Sequence, residues 1–316
     1  MSRNTRLLAV VVVILASAAA TSGDAARRPG LVLPFDLEAR GSQLYVADGE
    51  RHQILRFDLR RKRLVVVAGT GTAGASGDGG PAVRARIGEP TEIVFDAAGT
   101  LYFSDVSQGR IRRIDRQGVI TTVARIAAVA GLAVHPDGGS LAAASIEGWV
   151  YRVDLATGQL ERLAGDGTEA ATGDGGPATA AQLNGPHDVT YDAAGNLLIG
   201  GYRGVRRIDA RTGVIETPFP REGTKVVVGP HGAVFLVAGS PNGGTVTELD
   251  ASGAVRRVIG TGRLARHADR VAATRLGFLP SDVAPVGGAL LISQTQPVAA
   301  IRRIGPGSGI VTTLLR

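Results

Sequence analysis

The string Gly77-Asp78-Gly79-Gly80-Pro81-Ala82 recurs 96 residues later as Gly173-Asp174-Gly175-Gly176-Pro177-Ala178. An internal repeat constrains the fold more than any local propensity does, because each copy must build the same unit. The flanks repeat as well. An apolar strand ending in Ala-Gly comes first (Leu64 to Gly69; Leu160 to Gly165). A Gly/Thr-rich loop, the GDGGPA string and a short Ala-rich stretch to Ile87 or Leu183 follow, then a proline, Pro90 or Pro186, and a new strand. A degraded third copy opens at Val258-Ile259-Gly260-Thr261-Gly262, runs through Asp269 to Leu276, and has Pro280 ahead of its next strand.

A shorter period lies inside the long one. Ile111-Arg112-Arg113-Ile114-Asp115 reappears as Val205-Arg206-Arg207-Ile208-Asp209 and Ile301-Arg302-Arg303-Ile304. Between these fall Ile54 to Asp58, Val150 to Asp154 and Val246 to Asp250. Each copy is preceded and followed by a short β-rich run, with turn residues, often Gly, between runs. Four short strands per unit at regular spacing indicate propeller blades. A lone four-stranded sheet cannot bury both faces, whereas sheets packed around an axis can. The expected fold is all-β: a six-bladed β-propeller of four-stranded antiparallel blades with three long interblade inserts. The approximate blades are 31–87, 88–124, 125–183, 184–220, 221–276 and 277–316. A β-helix has coils too short for this unit.

Each insert joins an outer strand to the next inner strand and is expected to hold one short helix: Pro81 to Ile87, Pro177 to Leu183, and Asp269 to Leu276 with Asp269 as N-cap. The three are expected on one face as a canopy over the channel, since repeat proteins usually carry insertions on the binding face. Asp78 and Asp174 read as turn residues.

Arg3 and Arg6 precede an apolar run, Leu7 to Ala20, with Ala18-Ala19-Ala20 as one possible cleavage site. This order predicts a secretory signal peptide over residues 1–27 and a single propeller domain over 28–316. The mature chain is expected outside the cytoplasm, periplasmic or extracellular, as a monomer with no membrane span. There are no cysteines, which excludes disulfides, thiolate metal sites and a thiol nucleophile. The net charge of +7 comes almost wholly from arginine, with lysine only at Lys62 and Lys225. The Arg-Arg pairs fall at one place in alternate blades, so they surround the ring as a solvated or Asp-paired edge. With no interleaved stacking aromatics, nucleic acid is not an expected partner.

Phe95-Asp96-Ala97-Ala98-Gly99-Thr100-Leu101-Tyr102-Phe103-Ser104-Asp105, then the Ile-Arg-Arg-Ile-Asp strand, resembles the NHL-repeat propellers. Tyr191 to Leu197 carries part of the same pattern, and Gly173 to Pro186 is similar to a linker frequent in exported bacterial NHL proteins. The resemblance covers nearly the whole mature chain. It implies the six-bladed fold and says little about function. The blades at 125–183, 221–276 and 277–316 lack the Leu-Tyr-x-x-Asp strand.

Gly69-Thr70-Gly71-Thr72-Ala73-Gly74 matches a dinucleotide fingerprint, but no helix follows it and related strings recur at Gly165 and Gly260, so it reads as an interblade loop. No GxSxG, HExxH or phosphate-binding loop is present. His52, His135, His231 and His267 fall mostly in turns or loops.

The inner strands line the channel. Aligned on the turn glycine, their opening positions read Pro34 (the least well aligned), Glu92, Gly131, Asp188, Lys225 and Asp282. Alternate blades set Glu92, Asp188 and Asp282 about 120° apart in a six-bladed ring. Three converging carboxylates repel unless a cation or protons intervene. They are therefore the candidate ligands of one divalent cation, calcium or zinc. His187 and Lys225 are the candidate ligand-binding residues beside them. Lys225 also stands between Asp188 and Asp282 and can neutralise both. Gluconolactonase-like hydrolases and peptidylglycine-cleaving lyases, more distant six-bladed relatives, place metal ligands at channel mouths; the resemblance is one of location, without their ligand motifs. Two functions follow. One is an exported module binding a protein, peptide or glycan, favoured because catalytic motifs are missing. The other is a metal-dependent hydrolase or lyase at the channel mouth.

Overall fold

The computed structural model describes residues 31–265, 270–306 and 309–316. The segment expected to be a signal peptide and the expected Asp269 cap lie outside the described residues. Six antiparallel sheets occupy residues 34–68, 90–125, 129–164, 188–219, 225–259 and 279–315, each with its strands in chain order. The sixth sheet gains a short fifth strand, Val271–Ala272, from the insert before it. Every blade is thus contiguous in sequence. The ring closes by side-chain packing, with Leu37 and Leu55 of the first blade against Ala284, Leu291 and Ile301 of the sixth.

In the first two blades the Leu-Tyr-x-x-Asp motif has a local cause. Asp48 ends the second strand of the first blade and accepts hydrogen bonds from the N–H groups of Val32 and Leu33, at 2.9 and 2.8 Å. Asp105 does the same for Gly88 N–H at 3.0 Å. The final Asp of Leu-Tyr-x-x-Asp therefore anchors the chain as it enters its blade. The hairpin aspartates close turns instead. Asp96 accepts from Thr100 N–H at 2.8 Å, with Gly99 at φ 92°, where a side chain would be strained.

The core is divided by seam, one apolar cluster between each pair of neighbouring blades. Three seams are filled by blade side chains alone. The other three take in the inserts, and here the structure departs from the expected canopy. Val119 and Ile120 lie at the end of the second blade opposite to Pro90, where the insert rejoins the blade. Yet Gly79 N–H donates to Ile120 C=O at 2.8 Å, Ile120 N–H to Gly80 C=O at 3.0 Å, and Ala82 N–H to Gly118 C=O at 2.8 Å. The insert therefore runs the height of the seam and returns. Gly175, Ile215, Gly176, Ala178 and Gly213 repeat the pattern, and Ala273 N–H to Gly309 C=O echoes it in the third copy.

Burial drives this placement. Ala82, Ala85 and Ile87 are buried among Ile54, Ala68, Phe103 and Ile120, and Ala178, Ala181 and Leu183 are buried likewise. An Ala-rich stretch with one large apolar residue fits between two sheets, whereas over the channel it would stay exposed. The expected helices are single 3-10 turns: Ala82–Arg84, Ala178–Ala180 and Ala273–Arg275. The two-blade period is therefore an alternation between seams with and without a wedge.

Candidate functional site

Each inner strand contributes one residue at the same level of the channel. Glu92 pairs across from Ser104, Asp282 from Ser293 and Asp36 from Ala47, and in all three strands a bulge follows a proline two residues earlier. Asp36, not Pro34, is thus the first blade's contribution. The first hairpin is tighter, with Arg40 paired to Gln43 around Gly41, where the second spans Asp96 to Thr100, so counting back from the turn glycine overshoots Asp36 by two residues. The ring reads Asp36, Glu92, Gly131, Asp188, Lys225 and Asp282. A signal for Asp36 was present in the sequence: Pro34-Phe-Asp36, Pro90-Thr-Glu92, Pro186-His-Asp188 and Pro280-Ser-Asp282 share a Pro-x-acid pattern.

Two kinds of bond hold the ring. The first runs between neighbouring blades: Asp36 accepts from Ile93 N–H at 2.9 Å, Asp188 from Val226 N–H at 2.8 Å, and Asp282 from Leu37 N–H at 2.8 Å. Each carboxylate staples its inner strand to the next one. The second kind runs across the channel. Lys225 Nζ lies 2.8 Å from Asp36 Oδ1, 2.5 Å from both Glu92 oxygens and 3.6 Å from Asp188 Oδ1. Gly131 fills the sixth place because a Cβ there would stand 2.5 Å from Asp188 Cα.

Electrostatics follows from burial. Burial alone would lower the Lys225 ammonium. The carboxylates of Asp188, Asp36, Glu92 and Asp282 outweigh it and hold the group well above its ordinary value. Burial, and then Asp36, pushes Glu92 well up. Burial likewise pushes Asp282 well up and Asp188 to about 6, with Lys225 pulling both back. Glu38, two residues along from Asp36, is raised to about 7 by burial and by Asp36. One ammonium faces four carboxylates, and this excess of negative charge favours the protonated forms of Glu92, Asp188 and Asp282.

The three carboxylates singled out as metal ligands come together, but around an ammonium. Asp188 and Asp282 each give one oxygen to a backbone N–H. Among the described residues no group of three or more His, Asp or Glu is spaced to hold a metal ion. The other oxygens, Asp188 Oδ1 and Asp282 Oδ1, are buried without a hydrogen-bond partner. Both carboxylates line a cavity of about 480 Å³ that runs from the ring along the inner strands to Tyr191, Val228 and Pro285. His187 stands apart from the ring. Its imidazole meets Tyr202 edge-on at 4.7 Å between centroids, and burial lowers its pKa to about 4.

The GDGG aspartates do more than turn the chain. Arg112 is fully buried and donates to Ser76 C=O and Arg86 C=O at 3.0 Å each and to Asp78 at 2.6 Å. Arg206 binds Thr172 C=O, Gln182 C=O and Asp174 in the same way. Arg112 and Arg206, the first Arg of their pairs, thus each clamp an insert into its seam. The second points outward by strand alternation: Arg113 bonds Thr121, and Arg207 pairs with Glu216.

The family described as SMP-30/Gluconolactonase/LRE-like region matches residues 90–273, and the family described as Teneurin NHL domain matches residues 35–140. Teneurin-1 of Caenorhabditis elegans is 32% identical over 136 residues, which are 38% of this chain and 5% of that protein. Among solved structures, an auxiliary nutrient binding protein from Bacteroides thetaiotaomicron superposes with a TM-score of 0.63 at 13% identity, over 90% of this chain and 70% of that one. Virginiamycin B lyase from Staphylococcus aureus, in a structure with quinupristin, gives 0.56 at 13% identity, over 90% and 85%. At these identities the two structures share the fold alone. The chain is an NHL-repeat six-bladed propeller with gluconolactonase-like relatives.

Proposed function

The chain belongs to the SMP-30/gluconolactonase/LRE-like family, and we propose that this member is an exported binding module for a protein, peptide or glycan, without a metal-dependent reaction at its channel. The observation behind this reading is the position of the Lys225 ammonium, 2.5 Å from both oxygens of Glu92 and 2.8 Å from Asp36. A resident ammonium supplies the positive charge that a channel cation would bring. It holds its own protons and offers no open coordination position to polarise a substrate. The carboxylates then serve to join blades. Ligand contacts then fall outside the ring, with His187, whose ring adjoins that of Tyr202, as the candidate contact.

Metal analysis of the purified mature protein tests this reading, with Asp188→Ala measured in parallel. Less than a stoichiometric amount of any divalent metal in either protein, and no lactone hydrolysis, is the expected result. One equivalent of metal in the wild type, lost in Asp188→Ala, would overturn it in favour of the hydrolase or lyase. Peptide and glycan arrays probed with the same protein supply the positive arm. Binding to one class, weakened by His187→Ala, is expected; binding to neither class, together with lactone turnover, counts against the module.

A further inference from the structure

The three wedge-bearing seams are built alike, except at one end. Three residues beyond the ring position, the even-numbered blades carry Phe95, Tyr191 and Pro285. Four residues beyond it, the odd-numbered blades carry Arg40, His135 and Gly229. In the first such seam the Phe95 ring packs on Tyr45 at 4.7 Å between centroids, and the Arg40 guanidinium lies 4.6 Å over it. In the second, Tyr191 meets His135 edge-on at 5.0 Å. An aromatic ring under a polar cover therefore closes both seams. In the third, both members are cut back, to proline and glycine, and a cavity of about 550 Å³ lies between the fifth and sixth blades. Phe235 occupies the register position of Tyr45, so the partner face remains while the ring that covers it is missing.

The rim of this cavity is charged. Glu248 is engaged by two nitrogens of Arg257, at 2.7 and 3.1 Å. Asp250 is held by Ser252 and Ala254 of its own turn, and these bonds lower its pKa. Arg256 has a single partner among the described residues, Asp250 at 3.9 Å, and its side chain is 62% exposed. It is the least committed cation at the opening.

From this we infer that the cleft between the fifth and sixth blades is a binding site for an aromatic carboxylate, whose ring takes the place that Phe95 and Tyr191 fill elsewhere and whose carboxylate pairs with Arg256. The floor is apolar and built of Phe235, Pro285 and Leu290, which suits a ring. A guanidinium with one distant partner suits a carboxylate. The source is either a free aromatic acid or the C-terminal aromatic residue of a peptide. This inference is independent of whether the channel binds metal.

Titration of the mature protein by NMR or calorimetry with phenylacetate, with an N-acetylated peptide ending in free Phe, and with the same peptide amidated tests it. Saturable binding of phenylacetate or the free-acid peptide is expected, and the stronger of the two identifies the source. The amidated peptide is expected to bind roughly tenfold more weakly or worse, as loss of a charge-assisted pair predicts. Pro285→Phe, which restores the plug of the first seam, should abolish binding while the protein remains folded by circular dichroism. Arg256→Ala, on the rim, should weaken binding by a similar roughly tenfold factor. No saturable binding by any probe, or full binding in folded Pro285→Phe, would overturn the inference.

Discussion

Lys225 of the fifth blade reaches across the channel to Glu92 of the blade opposite, with its ammonium 2.5 Å from both carboxylate oxygens. The two residues are 133 positions apart in the chain. Their contact forms only when the ring is closed, so it reports on the whole fold and not on any one blade.

Lys225→Met should therefore destabilise the protein by about 3–5 kcal/mol, the range for removing one partner of a buried ion pair. Four carboxylates would then face one another with no cation between them. Adding Glu92→Gln to Lys225→Met should recover part of the loss, because it removes one of the stranded charges. Urea unfolding of the two single variants and the double variant measures the coupling. If the two single losses simply add, Lys225 and Glu92 do not act as a pair.

The ring also sets a pH dependence. Glu92, Asp188, Asp282 and Glu38 all have folded pKa values above their ordinary ones, Asp188 at about 6 and Glu38 at about 7. The folded state then binds protons more tightly than the unfolded chain. Their contribution to stability is complete below the unfolded carboxyl range and is lost as pH rises through the folded values. Stability should fall between about pH 4 and pH 7. The turn carboxylates Asp58, Asp154 and Asp209, lowered by bonds to backbone N–H groups of their turns, act oppositely and lose their contribution in stronger acid. Urea midpoints at pH 5 and pH 8 give the slope. Glu38→Gln should flatten it, and an unchanged slope would place the titration elsewhere.

How far the sequence reveals the site depends on which interactions the repeat copies. The blade count, the strand order and the positions of Glu92, Asp188, Lys225 and Asp282 follow from aligning repeats. Asp36 does not, because its hairpin turns more tightly than the second blade's and counting from the turn glycine lands on Pro34. Nor does the path of the inserts. A connection from outer to inner strand begins and ends on one face, and only the burial of Ala82, Ala85 and Ile87 draws it down the seam. The link between GDGG and Arg-Arg was latent in the sequence, since the string recurs from Gly77 to Gly173 and the pair from Arg112 to Arg206, in the same order. Side-chain pairing across 34 residues, as between Arg112 and Asp78, needs the fold to become visible.

That clamp yields a prediction with its own control. Arg112→Ala should cost about 3 kcal/mol, because it empties the place of a fully buried side chain and leaves the carbonyls of Ser76 and Arg86 and the Asp78 carboxylate without their shared donor. Asp78→Ala should cost less, about 1 kcal/mol, since Asp78 is 41% exposed and water screens the pair. Arg113→Ala, one residue on and facing outward, should fall within about 0.5 kcal/mol of wild type. Limited proteolysis should cut Arg112→Ala within residues 69–87 before any other segment. Equal losses at Arg112 and Arg113 would show that no clamp operates.

Gly131 offers the sharpest steric test of the ring. An added Cβ would stand 2.5 Å from Asp188 Cα and 2.9 Å from His187 O, both main-chain atoms of the neighbouring inner strand that cannot turn away. Gly131→Ala must push the third and fourth blades apart and should cost about 1–3 kcal/mol, the range for overpacking. It should also lengthen the hydrogen bond from Val226 N–H to Asp188, which hydrogen exchange at Val226 would report as faster exchange than at Ile93. The control is Gly118→Ala, where open space surrounds the Cβ but φ is 80°, so only backbone strain of about 1 kcal/mol applies. If Gly131→Ala costs no more than Gly118→Ala, the inner strands have slack at this level. The ring's restriction to five side chains would then need a cause other than contact with Asp188.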